Sequence, residues 1–161
     1  MMNNTPGKPR KTAVIVVLPS SESARRLTVP DGDEATDLHC TLDFLAEADR
    51  EAVGLTQLAL ACKQVASTFT AFTEHVEAVS GLGNDDPQAM VLRLTNTRLG
   101  EIRDLFRSIV PTIPPSRFPD YTPHITLGYG VPAAPGFVGT PIPFNRIAVW
   151  WGDDRLVYPL H

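Results

Sequence analysis

The chain is short of positive charge. Fourteen Lys and Arg stand against eighteen Asp and Glu, a formal net charge of -4, so the basic field that duplex nucleic-acid binders present is missing. A long duplex is therefore not an expected partner, although one local site can still take a small or short anionic ligand. Cysteine is scarce too: two residues in 161, Cys40 and Cys62, with neither a CxxC nor a metal-ligand spacing. That excludes a disulfide scaffold and accords with a reducing compartment. The longest apolar run, 13–18, is far too short to span a membrane. It is also shorter than a signal-peptide core, and no small-residue cleavage site follows it. The expected location is the cytoplasm. No Asp/Glu/His cluster has a metal-ligand spacing, so no metal and no cofactor are expected.

What remains is a composition suited to a packed core. Hydrophobic residues make up 43% and charged residues 20%, enough for one domain of ordinary size. Residues 1–10 read as a disordered polar leader containing Lys8 and Arg10, and residues 11–161 as a single domain. Strands are expected over 11–19, 38–45, 69–79, 89–94, 124–129, 142–151 and 156–160, with a short one at 27–29. Helices are expected over 49–66, with Asp49 as N-cap, and over 97–109. Gly81 to Pro87 is a turn-forming linker near the middle, and a Pro-rich loop covers 111–123. Each half holds a strand, a second strand opening on histidine, and one helix. The expected fold is α+β, a pseudo-symmetric pair of lobes rather than a doubly wound sheet.

The chemistry lies in two repeated tetrapeptides, His39-Cys40-Thr41-Leu42 and His124-Ile125-Thr126-Leu127. On a strand, side chains alternate faces, so His39 and Thr41 share one side while Cys40 and Leu42 take the other. His124 and Thr126 share a face in the same way. Two such strands give two imidazoles able to act as general base and general acid, and two hydroxyls able to donate to the non-bridging oxygens of a phosphate. Imidazole has an unperturbed pKa near neutrality, so both protonation states are at hand without a large shift. Phosphoester cleavage without a metal fits this inventory.

The paired motifs, together with the order of strands and helices from about Lys11 to Leu160, resemble the 2H phosphoesterase superfamily. This group includes 2′,3′-cyclic phosphodiesterases, 2′-5′ RNA ligase-like proteins and viral enzymes that degrade nucleotide signals. The resemblance implies a bilobal fold, with antiparallel sheets around a central cleft and two main helices outside. It carries four catalytic positions onto His39, Thr41, His124 and Thr126. It also implies a small-nucleotide or short-oligonucleotide substrate; in a virus, the same chemistry would suit destruction of a host immune nucleotide signal. Many relatives carry an arginine where this chain has Tyr129. The first motif often continues into an aromatic and a glycine; here Phe44 is present and Leu45-Ala46 replaces the glycine.

Further candidates for substrate binding are aromatic. Tyr121 and Phe118, in the loop before His124, are placed to form a lip over the cleft, and Phe44 and Tyr129 follow the two motifs. Strict alternation would turn Tyr129 away from His124. Trp150 and Trp151 fall on opposite strand faces; Trp151 shares the face of Ile147 and Val149 and reads as core, which leaves Trp150 to stack on a base. Asp43 lies on the His39 face and reads as a solvated charge. Arg93 and Arg117 are possible phosphate contacts, read first as surface charge, and His75 and His161 read as structural or exposed. Two other functions stay open: a module that sequesters a nucleotide without turnover, and an RNA-end processing or ligase-like enzyme acting on structured RNA. Oligomeric state is not legible.

Overall fold

The computed structural model describes residues 12–46, 49–50, 52–84, 86–115 and 120–161. Lys8, Arg10, Lys11, Arg117 and Phe118 lie outside the described residues. The first strand, β1 (Ala13–Pro19), is buried along nearly its whole length because both its faces are covered. Ile15 and Val17 enter the main core, while Val16 and Leu18 enter a smaller cluster with Ala148 and Trp150. Next comes a short helix, α1 (Ser21–Leu27), in a stretch expected to hold no helix, and the strand expected at 27–29 does not form. Ser20 accepts a bond from the Ser23 amide, and Glu22 pairs with Arg26 one turn on, so local capping wins over the β-branched pair that follows.

The remaining elements are β2 (Cys40–Leu45), α2 (Leu55–Thr68), β3 (Phe72–Leu82), β4 (Ala89–Leu94), α3 (Leu99–Ile109), β5 (His124–Tyr129), β6 (Pro141–Trp151) and β7 (Asp154–Pro159). Helix α2 starts later than expected. Asp49 does not cap it; its carboxylate accepts from the Ala46 amide, and Gly54 holds the N-cap position. Leu58, Ala61, Cys62 and Val65 form the buried stripe of α2 at helical spacing. Strand β3 runs through Gly81 into the segment expected to be a linker. Among the described residues no helix is long and apolar enough to cross a membrane.

All strand pairs are antiparallel, in the order β1-β2-β5-β4-β3-β6-β7, and β6 also pairs with β1. The ladder therefore returns on itself. One lobe is β7-β6-β1-β2 and the other is β3-β4-β5. They are joined by β3–β6 on one side and, on the other, by a single bridge, Cys40 with Ile125. This is the expected antiparallel, two-lobed α+β arrangement, with a third helix, α1, beside the two main ones.

Glu74 ties the second lobe to α3. It is fully buried on β3, and its carboxylate accepts from the amides of Thr97, Arg98 and Leu99 at the start of α3 and from the hydroxyls of Thr95 and Thr97. These amides are the ones a helix leaves without intrahelical partners, and a negative charge there is also attracted by the positive end of the helix dipole. Burial by itself raises the pKa of the Glu74 carboxyl, but the bonds from Arg98, Thr95 and Thr97 outweigh it and hold the group below the ordinary carboxylate range. A carboxylate held below its unfolded value adds stability above that value and loses it as pH falls through the lowered one. Glu74→Ala is expected to cost about 2–4 kcal/mol in urea unfolding at pH 7. The gap from the native protein should shrink as the pH drops below ~4, and a gap that stays constant into acid would contradict this assignment.

Candidate active site

The single bridge between the lobes sets the site. With Cys40 opposite Ile125, antiparallel register brings His39 opposite Thr126 and Thr41 opposite His124. Cys40 and Ile125 themselves are fully buried in the main core. The two imidazoles and two hydroxyls therefore project together from the other face, as neighbours across adjacent strands. His39 lies one residue ahead of β2, and His124 opens β5.

Each histidine is oriented in the same way. His39 Nδ1 lies 2.7 Å from the Asp37 carbonyl and His124 Nδ1 lies 2.8 Å from the Thr122 carbonyl, in both cases two residues upstream. A carbonyl can only accept, so Nδ1 carries the proton and the neutral ring keeps its lone pair on Nε2. The surroundings then differ. The edge of His39 meets Trp150, with ring centroids 4.5 Å apart. The Arg155 guanidinium lies over Trp150 at 4.1 Å and forms an ion pair with Asp37 at 3.0 Å. Asp37, His39, Trp150 and Arg155 thus close a ring of contacts. Burial lowers the His39 pKa from its ordinary value, and the nearby charges of His124 and Arg155 add to this. The bond to the Asp37 carbonyl and the Asp37 charge oppose it without reversing the direction.

Both motif strands shift register by one residue at their leucine. Asp43 pairs with Ile15 but Thr41 with Val16, leaving Leu42 extra. Gly128 pairs with Met90 but Thr126 with Val91, leaving Leu127 extra. A bulge of this kind breaks strict alternation. Beyond it, Leu45 turns into the core, while Phe44 and Tyr129, each five residues after its histidine, line the cleft. The expectation that Tyr129 turns away from His124 is corrected by this shift. The carbonyls of the two bulged residues are both engaged. Leu42 accepts from Arg103 Nε at 3.0 Å, and Leu127 accepts from the Asp33 amide at 2.7 Å. Gly32 and Gly128 meet at that second contact, and a Cβ on Gly128 would fall 2.8 Å from the Gly32 Cα.

The cleft has a volume of about 990 Å³ and is bordered by Thr41, His124, Thr126, Phe44, Tyr121 and Tyr129, among others. His39 is not among the residues that border it. Phe44 is 46% exposed. The Tyr121 hydroxyl donates to the Thr41 carbonyl at 2.9 Å and lies 3.7 Å from Cys40 Sγ. Burial raises the Tyr121 pKa, and it pushes the Cys40 thiol up to about 12, so Cys40 is an inert packing residue between the two polar members of its motif.

Two further sequence expectations are overturned. Trp150 is only 5% exposed and is absent from the cleft lining. Both faces of β6 are buried, so opposite faces did not mean one open ring; His39 and Arg155 already occupy Trp150. Trp151 does pack against the main core, with Arg50 over its ring at 3.9 Å. Asp43 is 6% exposed rather than solvated, and Arg107 neutralises it at 2.6 Å. Arg107 also donates to the Pro114 carbonyl. Arg93 pairs with His124 across β4 and β5 and donates to the Ser80 hydroxyl at 3.1 Å. Arg103 and Arg107 were missed by sequence reasoning. Their spacing of four on a helix whose other side carries Leu99, Ile102 and Phe106 was the available signal. Among the described residues, no group of three or more His, Cys, Asp or Glu is arranged to hold a metal.

Solved structures of similar fold cover almost the whole chain. The TT0787 protein of Thermus thermophilus aligns with a TM-score of 0.63 and 17% identity, over 93% of this chain and 95% of its own. LigT of E. coli, crystallised with 3′-AMP, aligns at 0.56 and 20%, over 96% and 97%. Usb1 of Kluyveromyces marxianus aligns at 0.57 and 12%, over 94% and 99%. No curated protein sequence matches the chain. Residues 17–137 match the family model described as the 2′-5′ RNA ligase superfamily, a span that contains both motifs and well over half the chain. The protein therefore belongs to the 2′-5′ RNA ligase superfamily, a group of phosphoesterase- and ligase-like enzymes.

Proposed function

We propose that the protein cleaves a phosphodiester in a small nucleotide, with the reacting phosphorus held between His39 and His124. The observation that carries this reading is the pairing of two imidazoles, each with Nδ1 held by a carbonyl, beside two threonine hydroxyls across one bridge. His39, whose pKa burial depresses, is neutral at neutral pH and acts as the general base. Its Nε2 takes the proton from the nucleophile, water or a neighbouring 2′-hydroxyl. As the new P–O bond forms and the old one breaks, His124, entering the step as the imidazolium, delivers its Nε2 proton to the departing oxygen and ends neutral. Thr41 and Thr126 donate to the non-bridging oxygens, where negative charge builds in the transition state. Phe44 and Tyr129 stack against the bases on either side, and Tyr121 braces the Thr41 backbone from below.

The substrates this favours are a 2′,3′-cyclic phosphate end, a cyclic mono- or dinucleotide, and a short oligonucleotide signal. The acidic chain weighs against long RNA. LigT structures hold 3′-AMP, ATP and NADP⁺, which supports a small nucleotide here.

In chelator-treated buffer, a panel of 2′,3′-cyclic, 3′,5′-cyclic, cyclic-dinucleotide and 2′-5′ substrates should yield cleavage products from at least one class. His39→Ala and His124→Ala should each lower kcat by roughly 10²–10⁴-fold while leaving binding in place. Native protein that binds and never cleaves would make it a sequestering module. Activity restored only by a divalent ion would overturn the two-histidine mechanism.

The pH profile tests the base. A base must be deprotonated, so kcat/KM should fall on the acid side as pH drops through the lowered His39 value, placing that limb below ~6.5. Trp150→Ala admits water to the ring, raises its pKa and should move the acid limb upward. A profile unchanged by that substitution would remove His39 from the base role.

A further inference from the structure

Resting on the reading that a phosphate occupies the cleft, we infer that Arg103 is a phosphate-binding residue: its terminal guanidinium nitrogens donate to the anionic oxygens of the substrate. Of the Arg and Lys residues among those described, Arg103 alone borders the cleft. The guanidinium groups around it are committed elsewhere. Arg107 is spent on Asp43 and the Pro114 carbonyl, Arg93 holds Ser80, and Arg155 holds Asp37 and covers Trp150.

Arg103 is built differently. Its Nε donates to the Leu42 carbonyl at 3.0 Å, at the residue the register shift leaves extra in β2. Its guanidinium carbon lies 5.0 Å from the centroid of the Tyr121 ring, and the hydroxyl of that ring is bonded to the Thr41 carbonyl. Both contacts fasten the side chain to the backbone of the first motif. They use one of its five N–H donors, and the terminal nitrogens have no acceptor among the described residues. A guanidinium clipped at Nε, with its two outer nitrogens uncommitted among the described residues, has lost most of its rotamer freedom before any ligand arrives, so little more is lost on binding. The fork matches two oxygens of a phosphate.

The charge balance of the cleft points the same way. Asp43, Asp49 and Asp120 border it, and Arg107 neutralises only the first. Without Arg103, an incoming phosphate would meet Asp49 and Asp120 with no cation among the described residues paired to them. Arg103 stands on the α3 side, next to the Leu42 bulge, and so approaches the phosphate from the wall of the first lobe.

The test compares nucleoside 3′-monophosphates of all four bases with the parent nucleosides, by calorimetric titration in chelator at low salt. The native protein should prefer the monophosphate. Arg103→Ala should weaken monophosphate binding roughly 10- to 100-fold and nucleoside binding by no more than about 2-fold. Arg103→Gln keeps a donor for the Leu42 carbonyl but has no charge, and it should lose the phosphate preference while its melting temperature stays near native. Arg103→Lys should regain part of the preference, because charge returns without the fork. An equal loss for phosphorylated and plain nucleosides would make Arg103 a brace for Leu42 and overturn the inference. So would monophosphate binding unchanged in the alanine and glutamine variants, or a native protein with no preference for phosphate. Turnover is scored separately. A protein that shows this phosphate-selective loss but cleaves nothing retains Arg103 as an anion site and refutes the catalytic reading alone.

Discussion

Cys40 and Ile125 form the single bridge between the two motif strands, and the remainder of the candidate site follows from that register. Were β2 to slip by one residue against β5, His39 would no longer face Thr126, and its alternate side chains would exchange core for cleft. The register is held by what lies behind it. Cys40, Leu42, Ile125 and Leu127 are all buried in one core, so a slip would place polar side chains there. The hydrophobic half of each tetrapeptide therefore positions the polar half.

The lobes are pseudo-symmetric in backbone and unequal in chemistry. Both carry a histidine bonded through Nδ1 two residues back, a threonine opposite the partner histidine, and a register shift at the leucine. In both, that shift swings an aromatic side chain, Phe44 or Tyr129, into the cleft. The surroundings of the two histidines then diverge. His39 is packed by Trp150 and linked through Arg155 to Asp37, whereas His124 has Arg93 across the ladder. Two identical imidazoles given different neighbours can take different parts in proton transfer. Helix α3, anchored at its start by Glu74, brings Arg103 and Arg107 to β2, so a buried carboxylate on β3 supports the far wall of the cleft.

The tetrapeptides and the antiparallel two-lobed fold were legible because they depend on local periodicity and on the chemistry of a few residues. Four features were not. A register shift depends on the partner strand, so alternation alone turns Tyr129, a candidate for substrate binding, away from the cleft that it lines. Burial on both sides of β6 cannot be read from alternation, so Trp150 was given a free ring it does not have. Asp43 looked solvated because its partner, Arg107, is distant in sequence. Helix α1 was hidden by the short β-branched stretch after it, although the Ser20 cap and the Glu22–Arg26 pair were on view. Each miss concerns a contact between distant segments or a local signal outweighed by a neighbour.

In the proposed mechanism the four motif side chains act on one phosphorus atom. The direct measurement is a crystal structure of the protein with a nucleoside-vanadate complex, a mimic of the five-coordinate transition state. Vanadium is expected between His39 Nε2 and His124 Nε2, each within hydrogen-bonding distance of an apical oxygen, with Thr41 and Thr126 hydroxyls on equatorial oxygens. Vanadate seated elsewhere, or touching only one of the two histidines, would contradict it.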